Sequence, residues 1–245
     1  LTHARSVLAR AAELDAVIKR RLAQHPAADR AQIVRQVLQE ETARLLAQAQ
    51  RDGLTGAVIR DASAAAFVAT RQDSGRSLYD EQLFGGRAMG LGLIVQMLTG
   101  EGKTITATLP LYLRALMGKG MVVQMTTADH YAKENFKETA GVFALLGVTS
   151  AAVTKEGARF YDAATGEARD AEGDGAKREA YAAQVVYVSV SAHAFDILHD
   201  LLALTDDERL MRQRRYFANV DEIDNITMEQ ALSEFIHAVM TGEAT

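Results

Sequence analysis

Met97-Leu98-Thr99-Gly100-Glu101-Gly102-Lys103-Thr104 is the stretch whose reading decides the fold. It ends in Gly-Lys-Thr, the tail of a phosphate-binding loop. An apolar run, Leu93-Ile94-Val95, precedes it and a helix-compatible stretch from Ile105 to Met117 follows, so the order strand, loop, helix is expected. Glycine carries no Cβ, which lets loop N–H groups approach phosphate oxygens closely. The start of the following helix adds a partial positive charge. In such a loop Lys103 reaches the β- and γ-phosphates and Thr104 ligates Mg²⁺. A bound nucleoside triphosphate is therefore expected. The usual pattern opens on Gly where this chain has Met97, and a Gly-rich turn that binds nothing would share the remaining letters.

A second motif adds to this reading. Phe217-Ala218-Asn219-Val220-Asp221-Glu222-Ile223-Asp224 reads as a short strand that ends in acids. In phosphate-loop enzymes the first such Asp holds the Mg²⁺ shell, and a following Glu orients or deprotonates the attacking water. Asp221 and Glu222 fit those roles. Alone, the motif equally describes a solvated acidic turn; together, the two favour a nucleotidase core.

The bulk properties bound the answer. A chain of 245 residues allows one large domain, or one domain with an appendage. Hydrophobic residues make up 48%, enough for a substantial core. No run of 18 apolar residues occurs, so no membrane span is expected, and no signal peptide is visible. The absence of cysteine excludes disulfides and thiolate-bound zinc, and fits a reducing cytoplasm. The net charge of −5 argues against a nucleic-acid partner. The chain opens on Leu1 rather than Met, which points to an excised fragment or a processed form.

Along the chain, residues 1–55 read as a helical hairpin. Val7, Ala11, Leu14, Ile18 and Leu22 share one helical face, and His25-Pro26 breaks it. Asp29 and Gln32 form a capping-box-like pair for a second helix, whose stripe is Ile33, Val37, Leu38 and Leu45. A packing appendage is the preferred reading; Lys19, Arg20 and Arg21 are too small a cluster to carry a membrane-surface helix. From residue 56 onward helices alternate with strands. Helices are expected at Ala62–Thr70, up to Leu93, at Ala132–Leu146, at Phe195–Leu204 and, short and charged, at Asp206–Arg215. Strands are expected at Met121–Met125, Val148–Val153 and Val185–Val190, with residues 155–177 an exposed hairpin or loop. This alternation predicts an α/β fold, a parallel sheet wrapped by helices.

The motifs resemble one family. Gln82-Leu83-Phe84-Gly85-Gly86, the stretch Met97 to Thr104, Ala107-Thr108-Leu109-Pro110-Leu111-Tyr112-Leu113 and Gly118-Lys119-Gly120 look like the preprotein translocase ATPase SecA. That family also has Met at the position of Met97. Leu145-Leu146-Gly147-Val148, Lys177-Arg178-Glu179-Ala180-Tyr181-Ala182-Ala183, Phe195-Asp196-x-Leu198-x-Asp200 and Val220-Asp221-Glu222-Ile223-Asp224 follow in the family's order, from about residue 60 to 225. The resemblance implies the first nucleotide-binding domain of a DEAD-type motor, a RecA-like P-loop fold over residues 56–245, with ATP and Mg²⁺ as cofactors. It implies that Gln82 reads the adenine edge and that Tyr79 lies near the base. It further implies that Thr99, Gly100, Glu101, Gly102, Lys103 and Thr104 hold the phosphates, and that Thr104 and Asp221 hold Mg²⁺. Glu222 would be the catalytic base, assisted by Lys103. Preproteins and translocation-channel components would be the partners, with another protein conceivable on the N-terminal helices. The place would be the cytoplasm, at most peripheral at the inner face of the plasma membrane.

The chain departs from the family in places. Its Gly-Thr-Asn-Asn-Glu is here Ser189-Val190-Ser191-Ala192-His193, the Arg of its Phe-Asp-Tyr-Leu-Arg-Asp is His199, and its Asp-Tyr-Leu is Asp129-His130-Tyr131. After Asp224 the family runs into a preprotein-binding domain; residues 225–245 read instead as a helix with Ile226, Leu232, Phe235, Ile236 and Val239 as its apolar positions. None of these residues reads as the family's second motor domain with its arginine fingers. Such fingers are worth about 10³–10⁵ in rate in related phosphoryl transfer, so this chain alone should bind nucleotide but hydrolyse it slowly or not at all. Two alternatives stand beside the motor domain: a SecA-derived interaction module without catalysis, and a nucleic-acid helicase domain. His193 and His199, with no third ligand, read as ordinary polar residues; the metal expected is the Mg²⁺ carried with the nucleotide.

Overall fold

Strands buried on both faces carry apolar residues at consecutive positions, as parallel sheets covered by helices do. In β1 (Met121–Thr126), Val122 faces one side while Met121 and Val123 face the other. In β5 (Val185–Ser189), Val185 and Tyr187 alternate likewise with Val186 and Val188. The computed structural model describes residues 2–25 and 29–227. Pro26 of the expected helix break, and the expected C-terminal helix beyond Thr227, lie outside the described residues.

Among the described residues the sheet has six strands, in the order β4 (Glu167–Glu172), β3 (Gly157–Asp162), β2 (Ser150–Val153), β5, β1 and β6 (Arg215–Val220). β2, β5, β1 and β6 run parallel. β3 and β4 extend the sheet as an antiparallel hairpin, the structure taken by the acidic tract after residue 155. α7 (Gly173–Tyr181) begins inside that tract. β6 is the other edge; Asn219 on it donates to Gln124 of β1 at 2.8 Å, a cross-strand amide pair that fixes their register.

One face of the sheet is covered by α5 (Lys103–Ala115) and α6 (Asp129–Leu146). Outside them lie α1 (Thr2–Gln24), α2 (Arg30–Asp52), α3 (Gly56–Ser74) and α4 (Asp80–Gly90). α7 and α8 (Val190–Leu202) take the other face. Packing crosses residue 55: Val7, Leu38 and Leu45 share one continuous core with Val122 and Tyr187. Polar links reinforce it. Arg44 bonds Glu41 at 2.6 Å and Asp61 at 2.7 Å, Arg10 bonds Glu41 at 3.0 Å, and the Thr42 and Tyr112 hydroxyls meet at 2.7 Å. Burial pushes the Glu41 carboxyl up, but the hydrogen bonds from Arg44 and Arg10 outweigh it and hold it below its ordinary value.

Two expected elements do not form. Leu93-Ile94-Val95 is not a strand; residues 93–98 carry no regular structure, and Ile94 is 93% exposed. A strand needs a neighbour for its backbone groups, and among the described residues the sheet stops at β6 without reaching this segment. The helix expected over Asp206–Arg215 is replaced by turns. Side chains there compete for the backbone: Asp200 accepts the N–H groups of Leu210 and Met211 at 2.7 and 2.9 Å, and Glu208 accepts that of Leu204 at 2.8 Å.

Candidate nucleotide site

α5 begins where Gly102 turns the chain into the left-handed region, with φ 77° and ψ 43°. A Cβ there would also lie 2.5 Å from the Gln82 amide nitrogen and push that side chain off the loop, but the left-handed backbone is what favours glycine. The N–H groups of the first turn of α5 have no intrahelical acceptors and face outward with the positive end of the helix dipole. Lys103 and Thr104 open this turn. The Lys103 ammonium has neither a hydrogen bond nor an ion pair among the described residues.

Gln82 lies on α4 but works on the loop. Its oxygen accepts the Tyr79 N–H at 3.0 Å at the start of α4, while its nitrogen donates to the Glu101 carbonyl at 2.8 Å. Tyr79 is largely exposed beside it. Tyr79, Gln82, Met97, Gly100, Glu101 and Gly102 line a cleft of about 770 Å³. Thr99 sits in the exposed turn ahead of Gly100, whose own φ of 87° leaves open space where a side chain would stand. The Glu101 carboxylate accepts the Leu98 N–H at 2.7 Å, so one loop donor is engaged by the loop's own acid.

α4 and α5 meet through glycine. A Cβ on Gly86 would come within 3.0 Å of Leu109 and 3.1 Å of the Thr106 carbonyl, and one on Gly90 within 2.8 Å of Leu113. Pro110, inside α5, has no N–H to give that Thr106 carbonyl, which lies against Gly86 instead. Arg114 then ties the far end of this pair to the acidic strand. It donates to the Gly90 carbonyl at 2.8 Å and to the Tyr216 hydroxyl at 3.3 Å, and stacks over Phe217.

Asp221 and Glu222 leave the C-terminal end of β6, the strand end at which open α/β sheets bind ligands. The Asp221 N–H still bonds the Met125 carbonyl at 3.0 Å, and its carboxylate accepts the Glu222 N–H at 3.0 Å. Glu222 has φ 52°, the one positive value at a non-glycine among the described residues, and its side chain is exposed. Thr126, Thr127, Tyr131, Asn135, Asp221 and Glu222 enclose a small cavity of about 60 Å³. The Thr104 hydroxyl donates to Asn135 at 3.3 Å, so the phosphate loop and the acidic strand converge on one residue of α6. Asn135 went unnoticed in the sequence because it is 31 residues from Thr104. The one signal was a polar residue at the border of the α6 face that buries Ala132, Phe136 and Thr139.

The altered strand-end stretch has its own bonds. The Ser189 hydroxyl accepts the Ala192 N–H at 3.1 Å, capping α8, and donates to Asp129, whose second oxygen accepts the Lys155 N–H at 2.9 Å. His193 is buried against Tyr181, 3.3 Å from its hydroxyl. That hydroxyl donates to Asp196 at 2.7 Å, and Lys177 closes the cluster on Asp196 at 2.8 Å.

A RecA-like sheet with a Gly-x-Gly-Lys-Thr loop at one end of α5 and paired acids at the end of β6 is the architecture of nucleotide-binding motor domains. The chain matches the SecA DEAD-like domain over residues 8–244 and belongs to that family. It is therefore a motor domain of the SecA type, and the match takes in most of α1 and all of α2, where the sequence motifs were few. No described helix is long and apolar enough to cross a membrane.

Proposed function

We propose that the chain binds Mg-ATP in the cleft between α4 and the N-terminus of α5, as the first motor domain of a protein-translocating ATPase. The observation that carries this reading is the convergence of Thr104 and the Asp221–Glu222 cavity on Asn135. The groups present suit such a ligand. A free ammonium and the open first turn of α5 suit phosphate, while a hydroxyl and carboxylates are the hard oxygen donors Mg²⁺ takes. Tyr79 and Gln82 would meet the base, and Thr99 to Thr104 the phosphates. Thr104 and Asp221 would hold the cation. When bound, Mg-ATP supplies the transferable phosphoryl group and neutralises its charge. Lys103 would neutralise the terminal phosphates, and Glu222 would orient an attacking water and take its proton. The Glu101 carboxylate would release the Leu98 N–H to a phosphate oxygen. With no arginine finger among its assigned groups, the chain alone would turn over slowly, and a second motor domain would raise the rate. The family match supports preprotein or channel partners, and a cytoplasmic place, as part of this proposal.

Calorimetric titration with Mg-ATP tests the reading. One saturable site is expected, weakened about a hundredfold in Lys103→Ala, since a hydrogen bond from a charged group is worth about 1.5–3 kcal/mol. A folded chain that binds no nucleotide would favour the interaction module instead. The exposed apolar face of α8, with Leu198, Leu201 and Leu202, is the feature that speaks for that second reading.

A further inference from the structure

We propose that Asn135 is a positioning residue for the divalent cation: it holds the Thr104 hydroxyl so that the oxygen's lone pairs, not its proton, face the metal. This rests on the Mg-nucleotide reading above. A threonine hydroxyl has one proton and two lone pairs. A hydroxyl that ligates a cation must send its proton elsewhere, and the acceptor that takes it fixes the orientation. Here the Thr104 proton goes to the Asn135 amide oxygen at 3.3 Å, and Thr104 makes no other side-chain hydrogen bond among the described residues. Asn135 is held for the task. It is half-buried in the second turn of α6, next to the fully buried Phe136, and its own carbonyl accepts the Thr139 hydroxyl at 2.8 Å. That hydroxyl also meets the Tyr187 hydroxyl at 2.7 Å, so the turn carrying Asn135 is bonded to the central strand β5. The Asn135 side chain borders the cavity that Asp221 and Glu222 share, while its amide NH₂ has no partner among the described residues. An amide supplies an acceptor without adding a third carboxylate, whose charge would push the pKa of its neighbours up.

The test is calorimetry of ATP binding to the full chain, once with Mg²⁺ and once with EDTA, for the parent, Asn135→Leu, Asn135→Ala and Asn135→Asp. The parent should bind more tightly with Mg²⁺. In Asn135→Leu and Asn135→Ala that Mg²⁺-dependent gain should fall about 10-fold, the lower end of what losing a partner of a metal ligand does. Binding in EDTA should stay at the parent level, and Asn135→Asp, which keeps an acceptor oxygen, should retain the gain. In a Thr104→Val background, Asn135→Ala should have no further effect. An unchanged Mg²⁺ gain in both Leu and Ala variants overturns the proposal and leaves the nucleotide reading standing. Equal losses with Mg²⁺ and with EDTA overturn it in favour of a structural role. A parent that binds no ATP under either condition overturns both readings together.

Discussion

Two clusters in this molecule each bring a lysine and an aspartate together with polar neighbours, to opposite ends. Lys177, Asp196, Tyr181 and His193 are enclosed between α7 and α8, and the two charges meet each other at 2.8 Å. Lys103, Thr104, Asp221 and Glu222 border open space, and neither the Lys103 ammonium nor the Glu222 carboxylate has a partner among the described residues. The first cluster has satisfied its polar groups internally, so it can only hold two helices together. The second keeps an ammonium and a carboxylate, Lys103 and Glu222, that nothing among the described residues satisfies, which is the condition for a ligand. Residue type alone would rank the two alike; burial and partnering separate them.

The largest effect should come from opening the closed cluster. Lys177→Ala strands a buried carboxylate and should lower stability by about 3–5 kcal/mol in urea unfolding. Replacing both charges, Lys177→Met with Asp196→Leu, should recover most of that loss. A loss below about 1 kcal/mol in the single variant would mean that water reaches Asp196 and the cluster is not closed.

A smaller effect should appear with pH. Burial, and then the positive charge of Arg215, hold the His193 imidazole down at about 4, below its ordinary 6.5, against a weaker pull upward from Asp200. Between those values the unfolded chain takes up a proton that the folded chain refuses. Stability therefore falls as pH drops through that window, by about 3 kcal/mol at ~1.4 kcal/mol per unit. Asp196, pushed up by burial despite Lys177 and Tyr181, works in the opposite sense above its unfolded value and offsets part of this. Unfolding measured from about pH 7 to pH 5 should show a shallower slope in His193→Phe than in the parent. Parallel slopes would place the proton uptake elsewhere.

The smallest change in stability should follow from the open cluster. Lys103→Ala should unfold within about 0.5 kcal/mol of the parent, as substitutions away from internal partners do, while on the proposed reading its nucleotide affinity should fall. A marked loss of stability would show that Lys103 has an internal partner, and the contrast between the clusters would then fail.

The legible parts of the fold were those set by local pattern. Val122-Val123 and Val185-Val186 announced buried strands, and Gly147 marked the end of α6, where its φ is 71°. Gly100, Gly102, Lys103, Thr104, Asp221 and Glu222 were legible as site candidates because a phosphate loop and an acidic strand end each lie within a few residues. What was not legible depended on distant partners. Leu93-Ile94-Val95 has the composition of a strand, but pairing is decided by the neighbour rather than by the run itself. The turns after α8 depend on the Asp200 carboxylate reaching ten and eleven residues ahead. Asn135 gains its meaning only when α6 is laid beside α5.

The contact of Gly86 and Gly90 with Leu109 and Leu113 has a consequence for what the cleft can accept. Helices seated this closely cannot slide past one another without side chains striking backbone. The span from Gln82 on one helix to Lys103 on the other is thus a fixed length rather than an adjustable gap. On the proposed reading the cleft would act as a gauge: a nucleotide whose ring and terminal phosphate stood too near or too far apart would engage one end and miss the other.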